Sequence, residues 1–193
     1  MDGIQYCDWA LKNEAEKKYH DEEWGGIPVH DDRVLFEFFV LEYMQAGLSW
    51  DTILSKRKNM RKAFDQFNPL IIVNYSESKI EELMHNKGII RNKLKLKALP
   101  VNAKIFLEIQ KEFGSFSNYL WKYVDGEPII NQWERGGEDV PSNTKLSDII
   151  SKDLKRRGFK FVGTTIIYAF LQAVGVVNDH LIYCHKHNSC NSI

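Results

Sequence analysis

Hydrophobic residues recur at helical spacing along most of the chain, and short stretches of glycine, proline and asparagine separate the periodic segments. One apolar stripe runs from Leu35 to Ala46 at steps of four, three and four, which predicts a helix over residues 34–46. Asp31 or Asp32 can cap the start of this helix. No segment shows convincing strand alternation, so the sequence predicts an all-α protein.

A very short loop follows this first helix. Gly47 ends the helix, and Ser49 can cap the next one, which is predicted over residues 50–64. The loop therefore presents Leu48 at its tip. Further helices are predicted over residues 14–20, 76–87, 91–107 and 116–124, with Pro100 as a kink or boundary in the third of these.

Residues 152–184 contain two more predicted helices, joined by a connector with glycines at both ends. Gly158 is placed to end the first as a left-handed cap, and Thr164 or Thr165 can cap the second. Backbone N–H groups at Gly163 and at the start of the second helix, with Lys160 beside them, could hold a phosphate. A tight turn between two packed helices has the same pattern, so both interpretations stay open.

Composition limits the possible classes of protein. The chain has 193 residues, 44% of them hydrophobic, which suffices for one domain over residues 1–193 with two lobes around a cleft. The net charge of zero leaves room only for local basic patches, at residues 152–160 and 91–97, and the second is interpreted as a solvated helix face.

No apolar run reaches membrane-spanning length and no secretion signal is evident, so a cytoplasmic protein is predicted. Phosphate-loop and dinucleotide motifs are absent, which leaves nucleotide hydrolysis and redox chemistry unsupported.

Residues 125–144 lack helical periodicity and are rich in glycine, proline, asparagine and charge. A connector of this length is usually functional or mobile.

Cysteine and histidine positions are compatible with a metal site, although their spacing alone is weak evidence for one. Cys7 and His20 lie near one end of the chain, while His180 and Cys184 are one helical turn apart near the other. Two cysteines and two histidines form a closed tetrahedral zinc site of the structural kind, which would join the two ends of the chain. The tail offers rival ligands, namely His185, His187 and Cys190, and a plain buried thiol is the alternative to a metal ligand.

Glu42 breaks the hydrophobic pattern, because it occupies a position on the buried stripe of its helix. Burying a carboxylate is costly unless a partner binds it. A nearby lysine or arginine could be that partner. Alternatively, Tyr19, Trp24 and Trp50 could wall a pocket around Glu42 that suits a flat, cationic or amino-bearing ring.

Five blocks of this sequence resemble the 3-methyladenine DNA glycosylase I family, the constitutive bacterial type. The blocks are YHDEEWG at 19–25, LFEFFVLEYMQAGLSW at 35–50, GIIRNKLKLKA at 88–98, EFGSFSNYLW at 112–121 and KRRGFKFVGTTIIYAFLQAVGVVNDH at 155–180. They occur in order and span nearly the whole chain, from Cys7 to about Cys184.

The resemblance implies a helix-hairpin-helix glycosylase that acts as a monomer on double-stranded DNA containing alkylated adenine. It implies that Glu42 hydrogen-bonds the flipped base, that Trp50 stacks on it, and that Leu48 fills the gap in the DNA. It further implies that Tyr19 and Trp24 complete the base pocket. The residues implied to bind DNA phosphate are Lys160, Gly163 and Thr164, and those implied to bind a structural Zn²⁺ are Cys7, His20, His180 and Cys184. Residues 185–193 are expected to be a mobile tail.

Some positions qualify what the resemblance implies. Thr165 stands where related enzymes that also cut the strand carry a lysine nucleophile, which predicts hydrolysis without lyase activity. Asp179 is the second candidate for activating water, or else it orients His180. Tyr43 and Met44 differ from the smaller or polar residues frequent in the family, which affects the expected pocket shape. A non-catalytic DNA-binding module and a glycosylase for another alkylated base are the alternative functions.

Overall fold

The structure, a computed structural model, describes residues 3–187. Over that range nearly all of the regular secondary structure is helical, as predicted. Its α-helices are α1 (Glu14–Glu22), α2 (Asp32–Gln45), α3 (Trp50–Ala63), α4 (Pro69–Ile72), α5 (Glu77–His85), α6 (Lys93–Phe113), α7 (Phe116–Trp121), α8 (Lys145–Arg157) and α9 (Thr164–Ala173). Three short 3₁₀ helices cover Asp8–Lys12, Asp65–Phe67 and Lys122–Val124.

One pair of strands departs from the prediction of no strands. β1 (Ile129–Ile130) runs parallel to β2 (Val177–Asn178) and ties the connector before α8 to the segment after α9. Each strand has only two residues, which is too short to produce a pattern of alternation in the sequence.

Local capping explains most helix boundaries. The Asp31 side chain accepts hydrogen bonds from two backbone N–H groups at the start of α2, and Ser49 accepts one from Thr52 at the start of α3. Gly158 ends α8 with φ of +102°, as predicted. The prediction that Thr164 or Thr165 caps α9 is wrong, because Gly163 is the cap and the Thr164 hydroxyl donates to Asp148 instead.

Helix α6 also differs from its prediction. It continues without a break through Pro100 and extends to Phe113, beyond the predicted end at residue 107. Buried side chains along it, including Leu96, Leu99 and Phe106, pack into the core. The packing of this apolar face outweighs the hydrogen bond that the proline removes.

Helix α2 lies at the centre of the core, against α3, α6, α7 and α9. Residues 35–44 of this helix are all buried, which explains why Glu42 is inside the protein. The turn before α2 packs on the end of α9, where a Cβ on Gly175 would lie 2.7 Å from the Ile27 carbonyl oxygen. None of the described helices is both long and apolar enough to cross a membrane.

The C-terminal residues that the structure describes pack against the body of the protein. His185 Nδ1 lies 2.9 Å from the Gln5 carbonyl oxygen, and His187 Nε2 lies 2.9 Å from that of Asn131. The remainder of the predicted tail, residues 188–193, lies outside the described residues.

Candidate active site and metal centre

A pocket of about 370 Å³ opens between α1, α2, α3 and α9. Tyr19, Trp24, Glu42 and Trp50, which the sequence placed in one pocket, all line it. The other lining residues are Trp9, Lys12, Glu16, Gln45, Ser49, Ala169 and Gln172. Sequence reasoning missed these, although Trp9 could have been suspected from its place two residues after Cys7.

Glu42 is only 5% exposed, and no hydrogen bond or ion pair reaches its carboxyl group from the described residues. The expected alternative, a neighbouring lysine or arginine, is therefore not found in that part of the chain. Burial raises the pKa of Glu42 to about 8. The pocket thus contains a carboxyl group whose hydrogen-bonding capacity is unused.

Two further polar atoms in this pocket lack partners. The Tyr19 hydroxyl and the Trp50 indole N–H are buried, and neither makes a hydrogen bond within the described residues. Leaving such a group unpaired costs about 1–3 kcal/mol. A complementary ligand would present an acceptor to the two donors, and a positive charge or a hydrogen-bond donor to the carboxyl group.

Aromatic rings form the walls of the pocket. The Tyr19 and Trp50 ring centroids are 5.0 Å apart, and those of Trp9 and Trp24 are also 5.0 Å apart, in a nearly perpendicular arrangement. Such walls bind flat ligands by stacking and exclude water from the carboxyl group.

The protonation of Glu42 affects stability in a predictable direction. Its folded-state pKa of about 8 exceeds the ordinary value of 4.5, so between these pH values the folded protein holds a proton that the unfolded chain has lost. The free energy of unfolding should therefore fall as pH rises through this window and level off above about pH 8. Glu42→Gln should lack this decrease and become increasingly more stable than the wild type, as chemical denaturation at pH 5, 7 and 9 can measure. Parallel profiles for the two proteins would contradict the expectation.

Beside the pocket, Cys7, His20, His180 and Cys184 form a buried cluster whose ligand atoms all lie within 4.8 Å of one another. The Sγ atom of Cys184 is 3.3 Å from His20 Nε2 and 3.6 Å from His180 Nδ1, and Cys7 Sγ is 3.6 Å from the same Nδ1. Tetrahedral zinc with ordinary bond lengths separates a sulfur and a nitrogen ligand by about 3.5 Å. The donor set and its spacing therefore fit a zinc ion.

The remaining ring nitrogens orient the two histidines. His20 Nδ1 lies 2.8 Å from Asp21 Oδ1, and His180 Nε2 lies 2.9 Å from the Trp24 carbonyl oxygen. Burial lowers the pKa of His180, which favours the neutral imidazole that a metal requires. Trp24 lines the pocket, and its carbonyl oxygen binds His180, so this residue connects the pocket with the metal cluster.

Asp179 is the centre of a network of side-chain hydrogen bonds. Each carboxylate oxygen accepts two hydrogen bonds, and the four donors are Asn131, Trp133, Tyr168 and Gln172. The prediction that it orients His180 is wrong, because His180 is held by the Trp24 carbonyl. With all of its lone pairs engaged, Asp179 is poorly placed to accept a proton from water.

Comparison with known proteins agrees with this geometry. The model of the methyladenine glycosylase family matches residues 9–187. The chain belongs to this family. It is 42% identical to DNA-3-methyladenine glycosylase 1 of Escherichia coli K12 over 181 residues, which cover 94% of this chain and 96% of that relative.

Solved structures of family members have the same fold. A crystal structure of 3-methyladenine DNA glycosylase I superposes with a TM-score of 0.89 at 46% identity, covering 94% of this chain and 98% of that one. The Staphylococcus aureus member, studied for its recognition of 3-methyladenine, has a TM-score of 0.90 at 36% identity, covering 95% of this chain and 97% of its own.

Leu48, one of the residues predicted to contact DNA, lies beside the pocket that contains Glu42. Leu48 is 43% exposed at the tip between α2 and α3, and a groove of about 380 Å³ connects it with Glu42 and with Thr165 on α9. Among residues 3–187, apart from the two chain neighbours of Gly163, no atom lies within 4 Å of where a Cβ on this residue would be, so packing in this part of the chain does not require glycine there. The Thr164 hydroxyl is already bonded to Asp148, which leaves its backbone N–H as the group available to a phosphate.

Tyr43 and Met44 do not line the base pocket. Tyr43 is fully buried and stacks on Phe161 of the connector between α8 and α9, with ring centroids 5.7 Å apart and an interplanar angle of 17°. Met44 is fully buried in the core. These two departures from the family pattern therefore affect the packing of the α8–α9 connector and of the core rather than the surface of the pocket.

Lys95 on α6 is 5% exposed and holds the end of α2. Its ammonium group donates to the carbonyl oxygens of Met44 at 3.0 Å and Ala46 at 2.6 Å. These are terminal carbonyls, which have no partner within their own helix. Lys95 therefore supports the helix that carries Glu42 and the loop that carries Leu48.

We expect Lys95→Met to lower the free energy of unfolding by about 1–3 kcal/mol, because buried carbonyls lose their donors. Thermal or chemical denaturation measures the change. Lys97→Met is the matched control on the same helix, since Lys97 makes only a solvent-exposed pair with Glu77 and should change stability by less than about 1 kcal/mol. Equal effects of the two substitutions would contradict a special role for Lys95.

Proposed function

We propose that this protein removes 3-methyladenine from alkylated double-stranded DNA by hydrolysing the N-glycosidic bond, the first step of base excision repair. The observation that carries the proposal is the buried carboxyl group of Glu42, which lacks a partner among the described residues and lines the same pocket as Tyr19 and Trp50. Family membership and a relative studied for its recognition of 3-methyladenine support it.

The chemistry of the lesion suits this pocket. Methylation at N3 leaves adenine positively charged, so its bond to the sugar is already weak and little acid catalysis is required. A cationic base lowers the pKa of Glu42 and binds its carboxylate, whereas neutral adenine leaves the cost of burying that charge uncompensated. Glu42 and the aromatic walls hold the extruded base while water attacks the sugar carbon. Selectivity for the charged lesion follows from the same interaction.

DNA binding, in this proposal, uses the exposed groups around the pocket. Leu48 enters the base stack and occupies the space of the flipped nucleotide, while the backbone N–H groups of Gly163 and Thr164, with Lys160, bind phosphate. All of these groups come from one chain, so a monomer suffices. The substrate is chromosomal, which places the protein in the cytoplasm of a bacterial cell.

The bound metal is proposed to be Zn²⁺, held by Cys7, His20, His180 and Cys184. Its four protein ligands leave no position for water, so it would supply structural support rather than catalysis. It fixes the N-terminal segment and the segment after α9 next to the pocket.

The decisive experiment is incubation with methylated duplex DNA, followed by chromatography of the released bases. We expect 3-methyladenine in the supernatant and no covalent enzyme–DNA adduct after borohydride treatment, because Thr165 cannot form a Schiff base. Binding of DNA without release of any base would favour the non-catalytic module. Release of other alkylated bases without 3-methyladenine would favour the other glycosylase activity.

A further inference from the structure

A second groove, of about 510 Å³, lies on the other side of the Leu48 tip. Its lining includes Leu48, Gly47 and Thr52 from the α2–α3 region, and Lys87 and residues 89–92 from the segment before α6. Four cationic residues line it, and no acidic residue does; the cations are Lys56, Lys87, Arg91 and Lys95. This local excess of positive charge contrasts with the zero net charge of the whole chain.

The cations of this groove differ in how they are used. Lys95 supports the end of α2, and Lys56 donates to the Lys87 carbonyl at 3.1 Å, which joins α3 to the segment before α6. Lys87 and Arg91 are exposed, and neither has an acidic partner within 4.0 Å among residues 3–187. Two cations are therefore built into the scaffold, and two remain available to an anionic ligand.

Neighbouring cations that point elsewhere are neutralised. Lys93 lies 3.6 Å from Glu81, and Lys97 lies 2.9 Å from Glu77. The basic patch seen in the sequence at residues 91–97 is thus divided, and only part of it faces the groove. The interpretation of that patch as a solvated helix face holds for Lys93 and Lys97 but is wrong for Lys95, which is buried, while exposed Arg91 lies just before the helix.

Leu48 separates this groove from the one that leads to Glu42 and α9, since it lines both. If Leu48 enters the base stack, as the proposed function requires, the two DNA strands run on opposite sides of it. The side with the base pocket and the hairpin takes the strand that carries the lesion. We propose that the groove formed by Lys56, Lys87 and Arg91 binds the phosphate backbone of the complementary strand.

This proposal rests on the proposed function. It explains how a protein without net positive charge binds duplex DNA. Arg91 and Lys87 contribute the phosphate contacts, while Lys56 holds the two lining segments together. Each phosphate contact releases counterions, so it appears in the salt dependence of binding, with a slope of about 0.9 per contact on a logarithmic plot. A contact to the complementary strand is made only with duplex DNA.

The test compares the double variant Lys87→Ala/Arg91→Ala with the wild type. Binding is measured to two oligonucleotides that carry a stable abasic-site analogue, one in duplex form and one single-stranded. We expect roughly tenfold weaker binding of the duplex and a salt slope smaller by about 2, with unchanged binding of the single strand. Free 3-methyladenine, followed by quenching of tryptophan fluorescence, should bind both proteins equally.

A charge-matched control is Lys62→Ala/Lys111→Ala, which removes two exposed cations that do not line this groove. It should bind the duplex like the wild type. Equal losses on the duplex and the single strand would assign the groove to the lesion strand and overturn the proposal, as would an unchanged affinity for the duplex. Failure of the wild type to release 3-methyladenine would instead overturn the proposed function, and the comparison of duplex with single strand remains interpretable without any excision.

Discussion

Glu42→Gln should lower kcat/KM for the excision of 3-methyladenine by about 10- to 100-fold. Glutamine keeps the size of the side chain but removes the negative charge that complements the cationic base. A hydrogen bond to a charged group contributes about 1.5–3 kcal/mol, and each 1.4 kcal/mol corresponds to a tenfold change in rate. Excision from methylated DNA under single-turnover conditions measures the loss directly. The same variant should be more stable than the wild type at neutral and alkaline pH, because burial raises the pKa of Glu42 to about 8.

Glu37→Gln is the matched control for this prediction. Glu37 is another buried carboxylate on α2, but Arg57 donates to it at 2.6 Å and Arg61 at 2.8 Å. Its substitution should therefore lower the free energy of unfolding and leave excision intact where the protein is folded. The two substitutions thus have opposite expected effects on stability, and only Glu42→Gln is expected to lower activity.

Asp179→Asn addresses the second candidate for water activation. Its carboxylate already accepts four hydrogen bonds. We therefore expect Asp179→Asn to lower the free energy of unfolding, while the folded variant keeps most of its excision activity. If folded Asp179→Asn abolished excision while Glu42→Gln retained it, the assignment of Glu42 would be wrong.

Cys184→Ser should abolish metal binding and lower the unfolding midpoint by about 10 °C or more, because a structural zinc ion contributes several kcal/mol to folding. The wild type should contain about one zinc per chain by elemental analysis, as expected for a closed four-ligand site. Excision should fall together with stability, since the Trp24 carbonyl holds His180 while its ring lines the base pocket.

Cys190→Ser is the control for that substitution, because Cys190 is the third cysteine of the chain and the rival ligand that the sequence offers. It should retain zinc and the wild-type midpoint. Wild-type protein without metal, or Cys184→Ser protein with a full equivalent of zinc, would contradict the assignment of the site.

Much of the architecture follows from local sequence. The capping residues Asp31 and Ser49 and the left-handed Gly158 act on backbone groups within about four residues, so helix boundaries near them are readable without the fold. Glu42 was detectable for the same reason, because a carboxylate on an apolar helical stripe violates a short-range pattern. The cysteine and histidine residues likewise made a zinc site one of the possibilities, with a plain buried thiol as the alternative.

Contacts between distant segments were decided only by the tertiary structure. The sequence does not reveal that Lys95 is buried, because its partners at Met44 and Ala46 lie about fifty residues away. Trp9 and Gln172 joined the pocket, and Asp179 acquired four donors, through packing of helices far apart in the chain. The basic groove beside Leu48 likewise combines three segments with no common motif. The sequence by itself therefore determined the helices and the types of chemistry available, through short-range hydrogen bonding and hydrophobic periodicity. Which of those groups face a common pocket, and which are neutralised, depended on how the helices pack.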